Sequence, residues 1–432
     1  MDTFIKIFYP VLYASVGHEA KMRPKTYSKK QHEIEIDYID SKALYILEKL
    51  RAANHIAYLV GGSVRDLLLK KNPKDFDIST SAKPNEIKVL FPRVILIGKR
   101  FCLAHIYFGR KAMEVSTFRA GDITNEQLIT EDNIWGSPEE DAIRRDFTIN
   151  GLFYDSKREL VIDYVKGYPD IRRRLLRAIG IPFLRFKQDP VRMIRCLKFK
   201  ARFGFDIDEE TRLALTECKG EIVKSSSARV LEELFRMLES GSAQKFFKLM
   251  VDYGMMQYLI PTIAEFLETN EGYLIYAYLK EVDKILSESN PPHLQRPLLL
   301  SCLIFPLLDK RLKLRFTNEE KGASLNHIRH ECNLVMDDIF SACLRTPKRL
   351  RIKTEELLIS QYRITPLQKK KSSRIHIPSI PEFNLAIQFF NLRCHIEPTM
   401  KELLEKWVKA YKQAMNKEAL HCREKKASII KI

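Results

Sequence analysis

The stretch Tyr58 to Thr80, YLVGGSVRDLLLKKNPKDFDIST, leaves few folds open to this chain. An apolar run ends in Gly61 and Gly62 and is followed by a helix-like segment, the pattern of a strand that turns into a helix N-terminus. Free backbone N–H groups at such a turn attract phosphate, and glycine lets the backbone come close to it. DFDIST then alternates as a strand does, which sets Asp75 and Asp77 on one face with Cα atoms roughly 6–7 Å apart. Two carboxylates at that spacing can share divalent cations. The segment predicts an α/β unit in which a phosphate-binding turn and an acidic strand lie together.

The flanking residues enlarge this unit. Asp40 or Ser41 can cap a helix whose Leu44, Ile46, Leu47 and Leu50 recur at helical spacing, and this helix leads into the AYLV strand. VILIGK from Val94, AHIYFG from Ala104 and MEVSTF from Met113 read as three further strands, the last two a hairpin separated by Arg110 and Lys111. Glu114 shares a face with Ser116 and Phe118. From about Asp155 strand signals fade, and amphipathic stretches such as DPVRMIRCLKFKARFGF and SARVLEELFRMLESGSAQKFFKLMVDYGM take over. Breaks are expected at Pro291, Pro292, Pro306 and Pro347, and QKKKSSRIHIPSIP near residue 370 reads as an exposed basic loop. The fold class is therefore α+β, a head with a small mixed sheet followed by an all-helical neck, body and tail. The expected boundaries are 1–36 for an N-terminal extension, 37–155 for the head, 156–225 for the neck, 226–345 for the body and 346–432 for a basic helical tail.

Charge and cysteine usage narrow the partners. A net charge of +18 favours a polyanion, either nucleic acid or an anionic membrane surface. No run of about 18 uncharged apolar residues occurs, so no membrane-spanning helix is expected. The eight cysteines, among them Cys102, Cys196, Cys218, Cys302 and Cys332, form no C-x-x-C pair. That argues against a zinc ribbon or a disulfide framework and for a reducing, cytoplasmic location. His327, His330 and Cys332 lack a fourth ligand at sensible spacing and read as packed or solvated side chains. IFYPVLYASVG after Lys6 carries a proline and no clear small-residue cleavage site, so residues 1–30 read as a loosely ordered extension rather than a signal peptide.

GGSVRDLLL, PKDFDIST, RRDFTINGLFYD from Arg144 and DPVRMIRCLKFKARFG from Asp189, in this order and spacing, resemble the motif series of the class II nucleotidyltransferases. That family contains the tRNA CCA-adding enzymes and the bacterial poly(A) polymerases. The resemblance covers roughly residues 35 to 260 clearly and the helical remainder loosely. It implies a polymerase-β-type head in which Gly61, Gly62 and Arg65 hold a triphosphate, with Ser63, Arg145 and Asn150 completing the nucleotide site. Asp75 and Asp77 would bind two Mg²⁺ ions, with Mn²⁺ as a substitute, one activating the 3′-hydroxyl of an RNA and one neutralising the departing pyrophosphate. A third carboxylate has two candidates. Glu114 lies on a neighbouring strand, and Asp146 in RRDFTIN is the position to which the likeness to bacterial poly(A) polymerases points. Asp146 could instead grip the ribose together with Asn150, four residues on. The larger loss on substitution is expected at Asp146.

DPVRMIR suggests how a base is chosen without a template. Asp189 can cap a helix with Pro190 in its first turn, which places Arg192 on the same face about 5–6 Å away. Adenine and cytosine each show an amino donor beside a ring-nitrogen acceptor, whereas guanine and uracil show the reverse, so this acceptor–donor pair should admit A and C. Polarity alone does not separate A from C. Where the family usually has Glu this chain has Gln188, which leaves the pair intact and removes whatever that carboxylate does. SSSARVLEELFRMLESG resembles the family's last motif, with Arg229 and Glu232 or Glu233 as structural supports. RRRLLR at Arg172, DKRLKLRF with Lys310 and Arg311, KRLRIK with Lys348 and Arg349, and Lys369, Lys370 and Lys371 are expected to form an RNA track.

The IGKRFxLAHI core from Ile97 to Ile106 resembles bacterial poly(A) polymerases, where CCA-adding relatives usually carry a threonine- or histidine-glycine-containing segment. IWGSPEEDAIRRDFTIN and RFKQDPVRMIR read the same way. The implied activity is template-independent transfer of AMP from ATP to RNA 3′ ends, a role in RNA polyadenylation and mRNA processing or decay. CCA or A addition to tRNA is the runner-up. A non-catalytic RNA-binding protein on the same fold is the reading of another class, and the intact Asp75, Asp77 and Arg192 speak against it. A small-molecule nucleotidyltransferase would not need the basic helical tail.

Overall fold

The computed structural model describes residues 23–98, 103–120, 134–288, 292–316, 323–340, 344–367, 375, 377–378 and 383–429, with side chains to 416. Residues 1–22, Cys102 and Lys369, Lys370 and Lys371 lie outside the described residues. The chain divides into two compact units, Met1–Arg185 and Phe186–Ile432.

The first unit is built on an eight-stranded mixed sheet in the order β1-β8-β7-β2-β3-β6-β5-β4. The strands are β1 (Lys25–Ser28), β2 (Ala57–Val60), β3 (Asp77–Thr80), β4 (Val94–Ile97), β5 (Leu103–Phe108), β6 (Lys111–Thr117), β7 (Leu152–Asp155) and β8 (Leu160–Asp163). β3 and β6 are parallel, and the other neighbours are antiparallel. The β5–β6 hairpin pairs Phe108 with Lys111, so its turn is Gly109 and Arg110 rather than Arg110 and Lys111.

The sheet is wider than the 37–155 boundary. β7 and β8 are four-residue strands, and LFYD is buried at every position, so neither carries a readable alternation. β1 lies inside the stretch read as loosely ordered, and its Tyr27 is buried and stacked on Tyr168 with ring centroids 3.9 Å apart. One sheet face, with Leu59, Ile78, Ala104, Ile106 and Val115, packs under the helices Ser41–Ala52 and Pro84–Leu90. The first of these is capped by Asp40, whose Oδ1 accepts from the Lys42 N–H at 2.8 Å. The opposite face carries Tyr58, Val60, Asp77 and Ser79, and its β7–β8 half is covered by a cluster of Val60, Phe118, Ala142, Phe153 and Ile162.

The second unit is helical. The helices used below are Val191–Phe203, Ser227–Leu238, Arg296–Phe316, Leu325–Ile339 and Lys348–Ile364. Pro306 does not break the chain as expected but sits inside Arg296–Phe316. Residues Pro297 to Leu308 of that helix are all buried, and this packing outweighs the roughly 3 kcal/mol that an interior proline costs. Cys196, Cys218, Cys302, Cys332 and Cys394 are buried, and burial pushes the thiols of Cys302 and Cys332 well up. His327 stacks on Phe316. Among the described residues no helix is long and apolar enough to cross a membrane.

Candidate active site

Strand register brings the first two motifs together. β2 and β3 are antiparallel with Val60 opposite Asp77, and Gly61 follows Val60, so the acidic strand begins where the glycine turn begins. Gly61 has φ +67 and ψ −127, a conformation that strongly favours glycine. A Cβ there would stand 2.9 Å from Arg145 Nη1, which means that the Arg145 guanidinium lies against the turn. Ser63 Oγ donates to the Val60 carbonyl at 3.0 Å and tightens the entry into the helix Gly62–Leu68. Asp77 is the first residue of β3 and half-buried, while Asp75 stands exposed before the strand with buried Phe76 between them. The strand is thus shorter than DFDIST suggested, although the exposure still alternates.

Arg65 is buried beneath this turn. Its Nε donates to Asp66 Oδ1 at 2.9 Å and its Nη1 to Asn150 Oδ1 at 2.6 Å. Asn150 Nδ2 donates to Asp146 Oδ1 at 2.9 Å, and the same oxygen accepts from the Phe147 N–H at 2.8 Å. A buried polar chain therefore ties GGSVRD to RRDFTIN, with Asp146 inside it. Two arginines border the glycine pair: a Cβ on Gly62 would stand 3.4 Å from Arg65 Nη2, and Arg145 lies against Gly61. Asp141 holds Arg145 through Nε at 3.2 Å and Nη2 at 2.8 Å, and Nη2 also points to Ser79 Oγ at 3.4 Å. The sequence reading missed Asp141, although its i, i+4 spacing from Arg145 was a usable signal. It also missed Arg185, fully buried, whose Nη2 donates to the Arg144 and Arg145 carbonyls at 2.6 and 2.9 Å. Nothing in RFKQDP distinguishes that side chain from an exposed helical arginine.

Glu114 enters from the parallel pair. Ile78 pairs with Val115, which sets Glu114 beside Asp77 on one face, and one step on Ser79 Oγ and Ser116 Oγ lie 2.9 Å apart. The Glu114 side chain is 52% exposed, whereas Asp146 is 6% exposed. Among the described residues no three His, Cys, Asp or Glu side chains converge to enclose a metal. Asp75 and Asp77 supply carboxylate oxygens, the kind of donor that Mg²⁺ takes alongside substrate phosphates.

In the second unit Arg192 Nε lies 4.0 Å from Asp189 Oδ2, so the two stand side by side. Asp189 does not cap the helix Val191–Phe203, which has no side-chain cap. Its carboxylate instead receives both arms of Arg229, Nη1 on Oδ1 and Nη2 on Oδ2, each at 2.8 Å. Burial alone would raise the Asp189 pKa, but Arg229, with Arg192 and Arg195, outweighs it and holds the carboxyl below its ordinary range. Arg229 sits on the helix Ser227–Leu238, which Glu232 anchors to Arg296 at 2.9 Å and Glu233 to Lys198. Gln188 is buried.

The basic clusters divide. Lys310 pairs with Glu271 at 2.9 Å, and Arg311 with Glu331 and Asp338 at 3.0 Å each, so both cations are engaged by carboxylates of the body. Lys348 and Arg349 are exposed on the first turn of the helix Lys348–Ile364, beside exposed Ile352 and half-buried Lys353. Lys348→Ala with Arg349→Ala is expected to weaken RNA binding and flatten its salt slope by about 0.7 for each phosphate no longer neutralised. Lys310→Ala with Arg311→Ala should lower the melting temperature and leave that slope unchanged. Binding titrations at several salt concentrations check both, and equal slopes in all three proteins would remove the Lys348 patch from the RNA path.

Residues 57–177 match the family description "Poly A polymerase head domain", and residues 204–267 match "Probable RNA and SrmB-binding site of polymerase A". Poly(A) polymerase I of Escherichia coli O6:H1 is 34% identical over 416 residues, covering 91% of this chain and 87% of that protein. The CCA-adding enzyme of Streptococcus gordonii is 36% identical over 219 residues, covering 50% of this chain and 55% of that one. Among solved structures, a tRNA-processing enzyme in an apo form superposes with a TM-score of 0.56 at 21% identity, covering 86% of this chain and 91% of that chain. The Bacillus stearothermophilus CCA-adding enzyme with CTP gives 0.50 at 22% identity, covering 87% and 98%. The structures share the fold, and the sequence match runs nearly end to end: the chain belongs to the tRNA nucleotidyltransferase/poly(A) polymerase family.

Proposed function

We propose that the protein is a template-independent polynucleotide adenylyltransferase that adds AMP from ATP to RNA 3′ ends, acting in RNA polyadenylation and mRNA processing or decay in the cytoplasm. The observation that carries this reading is the extent of likeness: poly(A) polymerase I aligns across 91% of the chain, the CCA-adding enzyme across 50%. Addition of CCA or A to tRNA is the second reading, favoured by the fold shared with CCA-adding structures.

On this reading the Gly61–Gly62 turn, Ser63 and Arg145 receive the triphosphate, and Asp141 keeps the Arg145 guanidinium facing it. Arg65, which lies against Gly62, also faces the triphosphate, with Asn150 and Asp146 holding it from behind. Divalent ions bound at Asp75 and Asp77 would favour the ionised 3′-hydroxyl and offset charge on the leaving pyrophosphate. Glu114, exposed beside Asp77, is the third carboxylate, which reverses the order expected from the sequence. Glu114→Gln is accordingly expected to lower kcat with an unchanged melting temperature. Asp146→Ala should lower both, since it strips a partner from buried groups at a cost of about 1–3 kcal/mol. A full-stability Asp146→Ala variant with lost turnover would return the third carboxylate to Asp146. In the second unit Asp189 and Arg192 present the acceptor and donor that read the base edge, clamped by Arg229. The activity itself is tested with an unstructured RNA, Mg²⁺ and ATP alone: a growing ladder is expected, and extension confined to tRNA-shaped substrates would contradict the proposal.

A further inference from the structure

The sheet face that carries Asp77 is closed on one side and, among the described residues, more exposed on the other. Over β2, β7 and β8 it is covered by the Phe118 and Phe153 cluster, the Gly61 turn and Arg145. Past Glu114 it continues across β5 and β4. There the antiparallel registers set His105 opposite Glu114 and Ile95 opposite His105, with Ile97 opposite Leu103 one step along. The His105 side chain is 19% exposed with Nε2 3.6 Å from Glu114 Oε1, and beyond it Ile95 and Ile97 are 54% and 42% exposed. An imidazole and three aliphatic side chains thus lie edge to edge with the carboxylates, in a protein of net charge +18.

We propose that this more exposed half of the face, His105 with Ile95, Ile97 and Leu103, seats the 3′-terminal base of the acceptor RNA, and that His105 is the ring on which that base stacks. The inference rests on the adenylyltransferase reading and deepens it. If the triphosphate occupies the glycine turn on one flank of Asp77, the attacking 3′-oxygen must approach from the other flank, and its own base then falls over β5 and β4. Bases of any identity can stack on such a surface, as an enzyme that starts on any RNA 3′ end and then extends its own adenosine tail requires. The Glu114 contact fixes where the ring sits relative to the carboxylates.

The test uses the full chain and an RNA oligonucleotide ending in 4-thiouridine. Photo-crosslinking is expected to map to β4 or β5, and to weaken in His105→Ala and in Ile95→Asp, the latter at an exposed position that leaves the core untouched. In elongation assays His105→Ala should raise the KM for RNA roughly five- to a hundredfold, the range for removal of one base–ring stack, with the KM for ATP unchanged. His105→Phe should restore it, which a merely structural histidine would not allow. Crosslinks elsewhere in the wild type, a Phe variant no better than Ala, or a raised KM for ATP alone would overturn the proposal. So would a change in oligomeric state in Ile95→Asp with unchanged crosslinking, which would give the face to a second copy. Absence of any RNA elongation by the wild type would defeat the adenylyltransferase reading instead, and the crosslink map would still judge the seat.

Discussion

Asp75→Asn and Asp77→Asn are each expected to lower turnover by about a hundredfold or more, the scale on which removal of one group that stabilises developing charge is felt. Folding should be nearly unaffected in Asp75→Asn, since that side chain is exposed and surface changes of this kind usually stay within about 0.5 kcal/mol. Asp77 heads β3 with its backbone in register with Val60, and the amide keeps the size of the side chain. The two substitutions therefore subtract charge beside the glycine turn and little else. Single-turnover rates at saturating ATP, with melting curves alongside, separate chemistry from folding. Wild-type rates in either variant would contradict the site.

Base choice should change sharply when the Asp189 cluster is altered. Asp189→Ala is expected to reduce discrimination among the four nucleotides by roughly ten- to a hundredfold, the equivalent of about 1.5–3 kcal/mol for a hydrogen bond to a charged group. Arg229→Ala should produce much of the same loss with Asp189 still present, because both carboxylate oxygens are oriented by that guanidinium. Reversing the pair, Asp189→Arg with Arg192→Asp, would set one arginine against Arg229, so a shift toward GTP or UTP requires Arg229→Glu as well. The clamp also has a pH signature. Because the folded-state pKa of Asp189 is lowered, its stabilisation is full above the ordinary carboxylate value and is lost as pH falls through the lowered one. Without Arg229 only Arg192 and Arg195 oppose burial, so the lowering shrinks, and with it the stability lost as pH falls. Values of kcat/KM for all four nucleotides and melting temperature against pH check both claims, and an unaltered ATP preference in Asp189→Ala would mean that the base is read elsewhere.

Much of the site was legible because its order is local. A glycine pair after an apolar run, and Asp75 and Asp77 two residues apart, are patterns that backbone geometry imposes within a few residues. The pairing of Val60 with Asp77, which joins them, needs only the short excursion between adjacent strands. What escaped the sequence depends on distant partners. Arg229 reaches Asp189 across 40 residues, and Arg185 buries its charge against carbonyls about as far away. Arg65 and Arg145 are both arginines near phosphate-binding motifs, and only packing shows that one lies against Gly62 while bonded to Asn150 and the other against Gly61. The short strands β7 and β8 hid because burial on both faces erases alternation. Pro306 misled for the converse reason, a strong local signal overruled by a helix buried all round.

The central claim is best tested by one assay: purified protein, Mg²⁺, a tRNA transcript ending immediately before CCA, and each nucleotide supplied singly. Adenylyl transfer to RNA 3′ ends predicts a long ladder with ATP alone and little product with CTP, GTP or UTP. Addition of one or two C residues with CTP, followed by a single A once ATP is supplied, would contradict it and assign the protein to CCA synthesis.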